Sequence, residues 1–243
     1  MTNEDRRILL LRGKPIRLSE TLYFTPPTLD AIADLGMTDW LTKIGVLFYD
    51  LNKLKHSVAS KPQFADYTPF EIFSIMLNQE DETSMKLHED IVQVLNVVTN
   101  QEWRFDKAVF LSKECIITDK EWFEIRSWVA LEYGVKDDKK PEEYNLANEK
   151  AKEFKRKRDE AAKQVNEIKS KNKDEQSFFD LISAVAAKDS SLDIISVWNL
   201  TMFQLIQCLR RLSLIDNYEF SMQALLAGAD SKKIEVQHWT SKT

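Results

Sequence analysis

Apolar residues recur every three or four positions through most of the chain, and that period predicts helices. Many of these runs open in the same way. "YTPFEIFSIMLNQ" from 67, "ITDKEWF" from 117 and "NLTMFQLIQCLRRL" from 199 each place a threonine three residues before a Glu or Gln. The pairs are Thr68 with Glu71, Thr118 with Glu121, and Thr201 with Gln204. This is the capping box: the hydroxyl accepts an unpaired N–H of the first turn, and the longer side chain reaches back to the N–H of the cap. All three stand where the periodicity independently starts a helix, so they are structural helix starts and carry no catalytic signature. Pro69 fits the first helical position, where its missing N–H costs nothing.

Other periods mark the remaining elements. The opening "RRILLLRGKPIRLSETLYFTPPT" alternates weakly and predicts two strands, about 6–12 and 15–24, joined at Gly13-Lys14 as an antiparallel hairpin. Pro26 and Pro27 stop the second strand, and a helical pattern starts near 28 with Gly36 as a point of interruption. "DETSMKLHEDIVQVLNVVTN" puts Met85, His88 and Leu95 at helical spacing. "WRFDKAVFL" alternates as a strand, with Trp103, Phe105 and Val109 on one face and "ECIIT" as its candidate partner. The 119–133 segment carries Trp122, Ile125, Val129 and Tyr133 on one core-facing stripe, and Gly134 ends it.

"GVKDDKKPEEY" is the clearest boundary. A long polar helix is expected over 141–176, where Ala147, Ala151, Phe154, Ala161, Val165 and Ile168 follow a 4-3 spacing. Half of these six are alanine, so the seam is thin and suits a helical hairpin or a partner better than a self-sufficient coiled coil. Helical segments resume at "SFFDLISAVAAK" and "SLDIISVW", and 201–227 forms one long helix or two shorter ones before Gly228. The last apolar positions, Ile234, Val236 and Trp239, follow that stop as a tail that docks on the body or is offered to a partner. The expected architecture is mainly α (α+β): a helical bundle with a small N-terminal β-hairpin and a short central strand pair. Residues 1–140 make an α+β unit, 141–176 the charged helix, and 177–243 a helical segment packing back on the body.

Composition narrows the chemistry. Five glycines and six prolines in 243 residues are too few for an all-β sandwich. Cys115 and Cys208 show no metal or redox spacing and read as reduced thiols. The four-residue apolar run at 8–11 is too short for a signal peptide, and no run approaches a membrane span, so a cytoplasmic protein is expected. His56, His88 and His238 lie in different segments, and "LHED" lacks the paired-histidine spacing of a zinc helix. "RGKP" lacks the first glycine and the hydroxyl residue of a phosphate loop, and "QEDET" lacks the glycine and spacing of a calcium loop. No enzyme, metal or cofactor is specified. Residues 149–173 hold ten Lys or Arg against five Asp or Glu, a net +5, whereas the remainder, with 24 basic and 34 acidic residues, carries −10. The basic stretch, with Lys155, Arg156, Lys157 and Arg158 at its centre, is the one part suited to phosphate attraction. Only Phe154 there could stack on a base, so a solvated face or a protein-binding face fits better.

The block "SVWNLTMFQLIQCLRRLSLIDNYEFSMQALLAGADSKKIEVQHW" resembles the C-terminal region of small helical tail-morphogenesis proteins, including tail-assembly chaperones, of long-tailed bacteriophages of Gram-positive hosts. An aromatic-led W-x-L-T-x-[FY]-Q-L helix start falls on Trp198, Leu200, Thr201, Phe203, Gln204 and Leu205. An Arg-Leu run at Arg211 and Leu212 follows, then Tyr218, Gly228 and a terminal His238-Trp239. The charged helix and the opening "GKPIRLSETLYFTPPTLDAIADLG" are similar too, so the resemblance covers about the first 30 and last 100 residues; 55–140 match nothing. It implies a non-enzymatic chaperone that binds the tape-measure protein or tail-tube subunits, with possible self-association, no cofactor, and no catalytic residue to carry over. Candidate partner-binding residues are Phe154, Val165 and Ile168 on the seam and Ile234, Val236 and Trp239 in the tail. A structural component of the virion tail, or a nucleic-acid-binding accessory protein using the basic helix 149–173, are the alternatives.

Overall fold

The computed structural model describes residues 1–58, 61–135, 177–188, 191–230, 234 and 236–241. The expected charged helix, with Phe154, Val165 and Ile168, lies outside them. Among the described residues the protein is mainly α, with two small antiparallel hairpins. The order is α1 (Asn3–Leu11), β1 (Ile16–Arg17), β2 (Tyr23–Phe24), α2 (Leu29–Leu35), α3 (Met37–Val46), α4 (Leu51–Ser57), α5 (Pro69–Leu77) and α6 (Glu82–Thr99). Then come β3 (Arg104–Asp106), β4 (Val109–Leu111), α7 (Asp119–Tyr133), α8 (Phe178–Lys188) and α9 (Met202–Leu226), with short 3-10 turns at Pro62–Phe64 and Ser196–Asn199.

The caps sit where the sequence puts them. At Thr68 the Glu71 N–H donates to the hydroxyl (3.2 Å) and the Thr68 N–H to the Glu71 carboxylate (2.7 Å). The Glu121 carboxylate accepts the Thr118 N–H at 3.2 Å, and Gln204 Oε1 the Thr201 N–H at 2.8 Å. Gly134, at φ +64°, ends α7 as expected.

Two expected strands are corrected. Residues 6–11 belong to helix α1 and Arg12 is its C-cap, so no strand forms there. Thr2 and Asp5 form a capping box with a shorter acid: the Thr2 N–H donates to Asp5 (2.9 Å) and the Asp5 N–H to Thr2 Oγ1 (3.1 Å). A run of four apolar residues is compatible with either period, so the cap decides. The hairpin lies wholly within the expected second strand, 15–24, pairing Ile16 with Phe24 and Arg17 with Tyr23, so its turn falls after Arg17 and not at Gly13-Lys14. The second correction concerns 103–111, which folds on itself: β3 and β4 pair Phe105 with Phe110 across a two-residue turn, Lys107-Ala108, with both φ values positive (47° and 62°). That is the conformation of the turns that match strand twist, normally supplied by Asn-Gly or Asp-Gly. Phe110 is therefore the buried partner of Phe105, their rings 4.7 Å apart, and Val109 falls on the other face opposite Asp106. "ECIIT" does return to β4, through one bridge between Leu111 and Ile116. Met85 is half exposed and off the core stripe of α6, and only the last three residues of "SLDIISVW" enter a helical turn, the 3-10 turn Ser196–Asn199.

One continuous core runs from Leu10 to Leu205 around three fully buried tryptophans, Trp40, Trp122 and Trp128. Trp122 stacks on Phe70 at 4.9 Å, and Phe24 of β2 lies against Trp128 at 6.1 Å. Arg6 covers Trp128, its guanidinium carbon 4.2 Å from the ring centroid, while it donates to Ser127 Oγ at 2.6 Å. Burial draws the Arg6 pKa down, with Glu124 acting against it.

The start of α9 gathers the early elements. Leu29 N–H donates to Leu200 C=O at 2.8 Å, and Thr28 bridges to the buried Thr201. Gln204 does more than cap: its Nε2 donates to Leu11 C=O at 2.8 Å, closing the end of α1. A glutamate could cap α9 but could not donate this second bond. Gly13 completes the corner at φ +62°, where an added Cβ would stand 2.9 Å from Gln204 Nε2. Gly13→Ala is therefore expected to cost about 1–2 kcal/mol from the left-handed backbone alone, more if Gln204 is displaced. Urea unfolding should show a lower midpoint with an unchanged slope.

Candidate protein-binding groove

The C-terminal end of α3 does not close against its neighbours. Between α3, the end of α7, α8 and α9 lies a cleft of about 550 Å³. Its lining is almost wholly apolar: Leu41, Ile44 and Phe48 on one wall, Leu181, Leu205 and Leu209 on the other, with Tyr133 and Val135 at one end. Leu41 is 45% and Val135 40% exposed, so the cleft opens to solvent. Gly45 lies on the α3 wall, and a Cβ built there meets no atom within 4 Å. A space of this size and character holds apolar side chains, each worth roughly 1.5–3 kcal/mol on burial.

The groove is held by buried polar contacts at its base. Trp40 Nε1 donates to Tyr133 Oη at 2.7 Å. Burial pushes the Tyr133 hydroxyl pKa well up, the Trp40 bond opposing this in part, so the hydroxyl stays neutral. Glu132 is fully buried, and its Oε1 accepts the Phe203 N–H in the first turn of α9 at 3.2 Å. Desolvation raises its pKa to about 7, with hydrogen bonds from Phe203, Thr201 and Met202 pulling it back. This joins the end of α7 to the start of α9 on one side of the groove. An exposed ion pair between Lys188 and Asp216 ties the end of α8 to α9.

The tail runs back along the outer face of α9. Arg211 Nη1 donates to the carbonyl oxygens of Trp239 and of Ser241, the latter at 3.3 Å, and the His238 ring meets Tyr218 edge-on at 5.2 Å. Ile234 is half-buried, whereas Val236 and Trp239 are 39% and 44% exposed. None of the three tail candidates is among the residues that line the groove. The groove residues were not singled out from sequence: Leu41, Ile44 and Phe48 have the spacing of any core-facing helix, and nothing local says that the described residues leave part of their face uncovered.

Other candidate chemistry is dispersed. His88 stacks on Phe105 at 4.9 Å as a boundary residue, and among the described residues no three His, Cys, Asp or Glu side chains cluster as metal ligands. Cys115 and Cys208 are half-buried and form no disulfide, and burial raises the Cys115 thiol pKa. Among the described residues no helix is long and apolar enough to cross a membrane.

Fold and groove together define a mainly helical protein with an apolar cleft among its described residues. Residues 169–243 match the family model of the YomV second domain, a stretch that includes α8, α9 and the tail and so supplies one wall of the groove. That family is phage-associated, and the match points to a phage protein. Comparison with curated proteins and with solved structures gave no match.

Proposed function

We propose that this phage-related protein acts without catalysis, by holding the apolar face of a helical segment of another protein in the groove between α3, α8 and α9, as a tail-assembly chaperone holds its tape-measure or tube client. The observation that carries the reading is the groove: a solvent-open cleft of about 550 Å³ with hardly a polar atom in its walls. Exposed contiguous apolar surface is costly to maintain in water and marks an interaction site. Helix-in-groove binding reads i, i+3, i+4 and i+7 side chains of the client, which suits a cleft walled by helices. The resemblance of the same C-terminal region to phage tail-morphogenesis proteins agrees with this use.

The test is a nuclease-treated pull-down of the tagged full-length protein from cells expressing its native operon, run beside Gly45→Glu. The glutamate enters open space on the α3 wall and replaces a residue that weakens a helix, so folding survives while a charge enters the cleft. A long helical tail protein or tube subunit retained at near-stoichiometric level by the native chain, and lost from Gly45→Glu, is the expected result. Equal retention by both, or partners that vanish with nuclease, would sink the reading; presence of the protein in purified particles would assign it to the virion.

A further inference from the structure

The face of α9 that points away from the groove forms a second, chemically different cleft. It lies between α1 and α9, measures about 540 Å³, and is closed at one end by Thr240 and Ser241 of the tail. On α9 the groove takes Leu205, Ile206 and Leu209, whereas this cleft takes Phe203, Gln207 and Arg211. At 3.6 residues per turn these two sets occupy nearly opposite sides of the helix.

Its lining combines an apolar strip with cationic walls. Ile8 and Leu11, one turn apart on α1, are 54% and 53% exposed. Arg7 stands on the α1 wall, its Nη2 donating to Gln207 Oε1 at 3.4 Å, and Arg211 stands on the α9 wall, its Nη1 held by the tail carbonyls of Trp239 and Ser241. Glu4 is the single carboxylate among the described lining residues. A chain of net charge −5 thus presents here two arginines flanking exposed aliphatic side chains. Arginine offers planar, paired N–H donors that match a carboxylate. The aliphatic strip asks for apolar side chains between those carboxylates, which a polyphosphate backbone does not supply.

We propose that the cleft between α1 and α9 is a docking surface for an acidic amphipathic segment of a protein partner, its leucine-like residues on Ile8 and Leu11 and its carboxylates toward Arg7 and Arg211. The protein then engages two protein segments at once, an apolar one in the groove and an acidic one across α9 from it. Charge complementarity selects the occupant: outside the basic stretch 149–173 the chain carries −10 and repels an acidic segment, whereas Arg7 and Arg211 attract one here.

The test uses the full-length protein and a fluorescein-labelled helical peptide with a leucine stripe flanked by glutamates. Twin peptides carry glutamine or lysine in place of every glutamate. Fluorescence anisotropy at low salt should show the glutamate peptide binding about tenfold or more tighter than the glutamine twin, weakening as salt is added, with no binding of the lysine twin. Arg7→Glu should lose about tenfold by placing like charges together, and Leu11→Ser should weaken binding without altering the salt response. Gly45→Glu, in the other groove, should bind as the native chain does. Both α1 positions are solvent-accessible, and far-UV circular dichroism checks that the variants fold. Equal binding of the three peptides, or an unaffected Arg7→Glu, overturns the proposal. Loss of binding in Gly45→Glu overturns it too, by moving the peptide to the apolar groove, as does displacement of the peptide by an equal concentration of duplex DNA, which would make phosphate the preferred ligand.

Discussion

Trp122→Ala is expected to remove about 3–5 kcal/mol of stability, the range for deleting a large aromatic from a close-packed core. Trp122 is 1% exposed and touches three aromatic rings: Phe70 at 4.9 Å, Phe73 at 5.9 Å and Phe110 at 6.3 Å. Those rings come from α5 and β4, and Trp122 itself from α7, so the cavity would open where a hairpin and two helices meet. A folded domain holds only about 5–15 kcal/mol in all, and this change alone takes a large share. Trp122→Phe separates packing from polarity. The indole Nε1 is buried with no hydrogen-bond partner among the described residues, so the phenylalanine removes an unmet donor while it leaves a smaller void. Urea denaturation should give a deficit for Trp122→Phe well under half that of Trp122→Ala. Similar losses for the two would mean that the indole N–H is satisfied and that the polar contact, not the ring, carries the stability.

Glu132→Gln should change the pH dependence of stability more than its level at acid pH. The Glu132 pKa is raised from an ordinary 4.5 to about 7 because burial penalises the carboxylate more than the N–H donors of α9 and the Thr201 hydroxyl compensate. The contribution is complete below about pH 4.5, where both folded and unfolded forms hold the proton. Between about 4.5 and 7 the unfolded chain releases it while the folded chain keeps it, so stability falls as pH rises, and the loss levels off above the folded pKa. At roughly 1.4 kcal/mol per unit, the fall is about 3 kcal/mol across that window. Glutamine keeps an acceptor for the Phe203 N–H and has no proton to lose. Unfolding free energies should therefore be similar for the two proteins near pH 4.5, with the variant ahead by up to about 3 kcal/mol at pH 8. Parallel profiles across the window would show that Glu132 titrates as an ordinary carboxyl and that its side chain is hydrated.

The elements that were legible in the chain are those decided within one helical turn. Thr68 with Glu71, Thr118 with Glu121 and Thr201 with Gln204 announce helix starts because their hydrogen bonds span three residues, and Gly134 ends α7 through its own φ. The α1 misreading has the same local origin: Asp5 caps as Glu would, but it falls outside the Glu or Gln pattern that was sought. The β3–β4 turn was hidden because Lys107 and Ala108 adopt positive φ without the residues that usually signal it, held there in part by the Asn78 side chain accepting the Ala108 N–H at 3.3 Å.

By itself, then, the sequence determined where most helices begin, that the protein is mainly α with small hairpins, and that its C-terminal third looks phage-related. Tertiary structure alone decided what those helices are for. Gln204 reaches across to Leu11 and Glu132 lies under Phe203, contacts made across 193 and 71 positions of chain. Spacing along a helix ranks Leu41, Ile44 and Phe48 with every other core-facing stripe; only the arrival or absence of a distant neighbour makes one face core and another an open groove. Burial and cavity shape are properties of surfaces brought together from the whole chain, and no window of a few residues contains them.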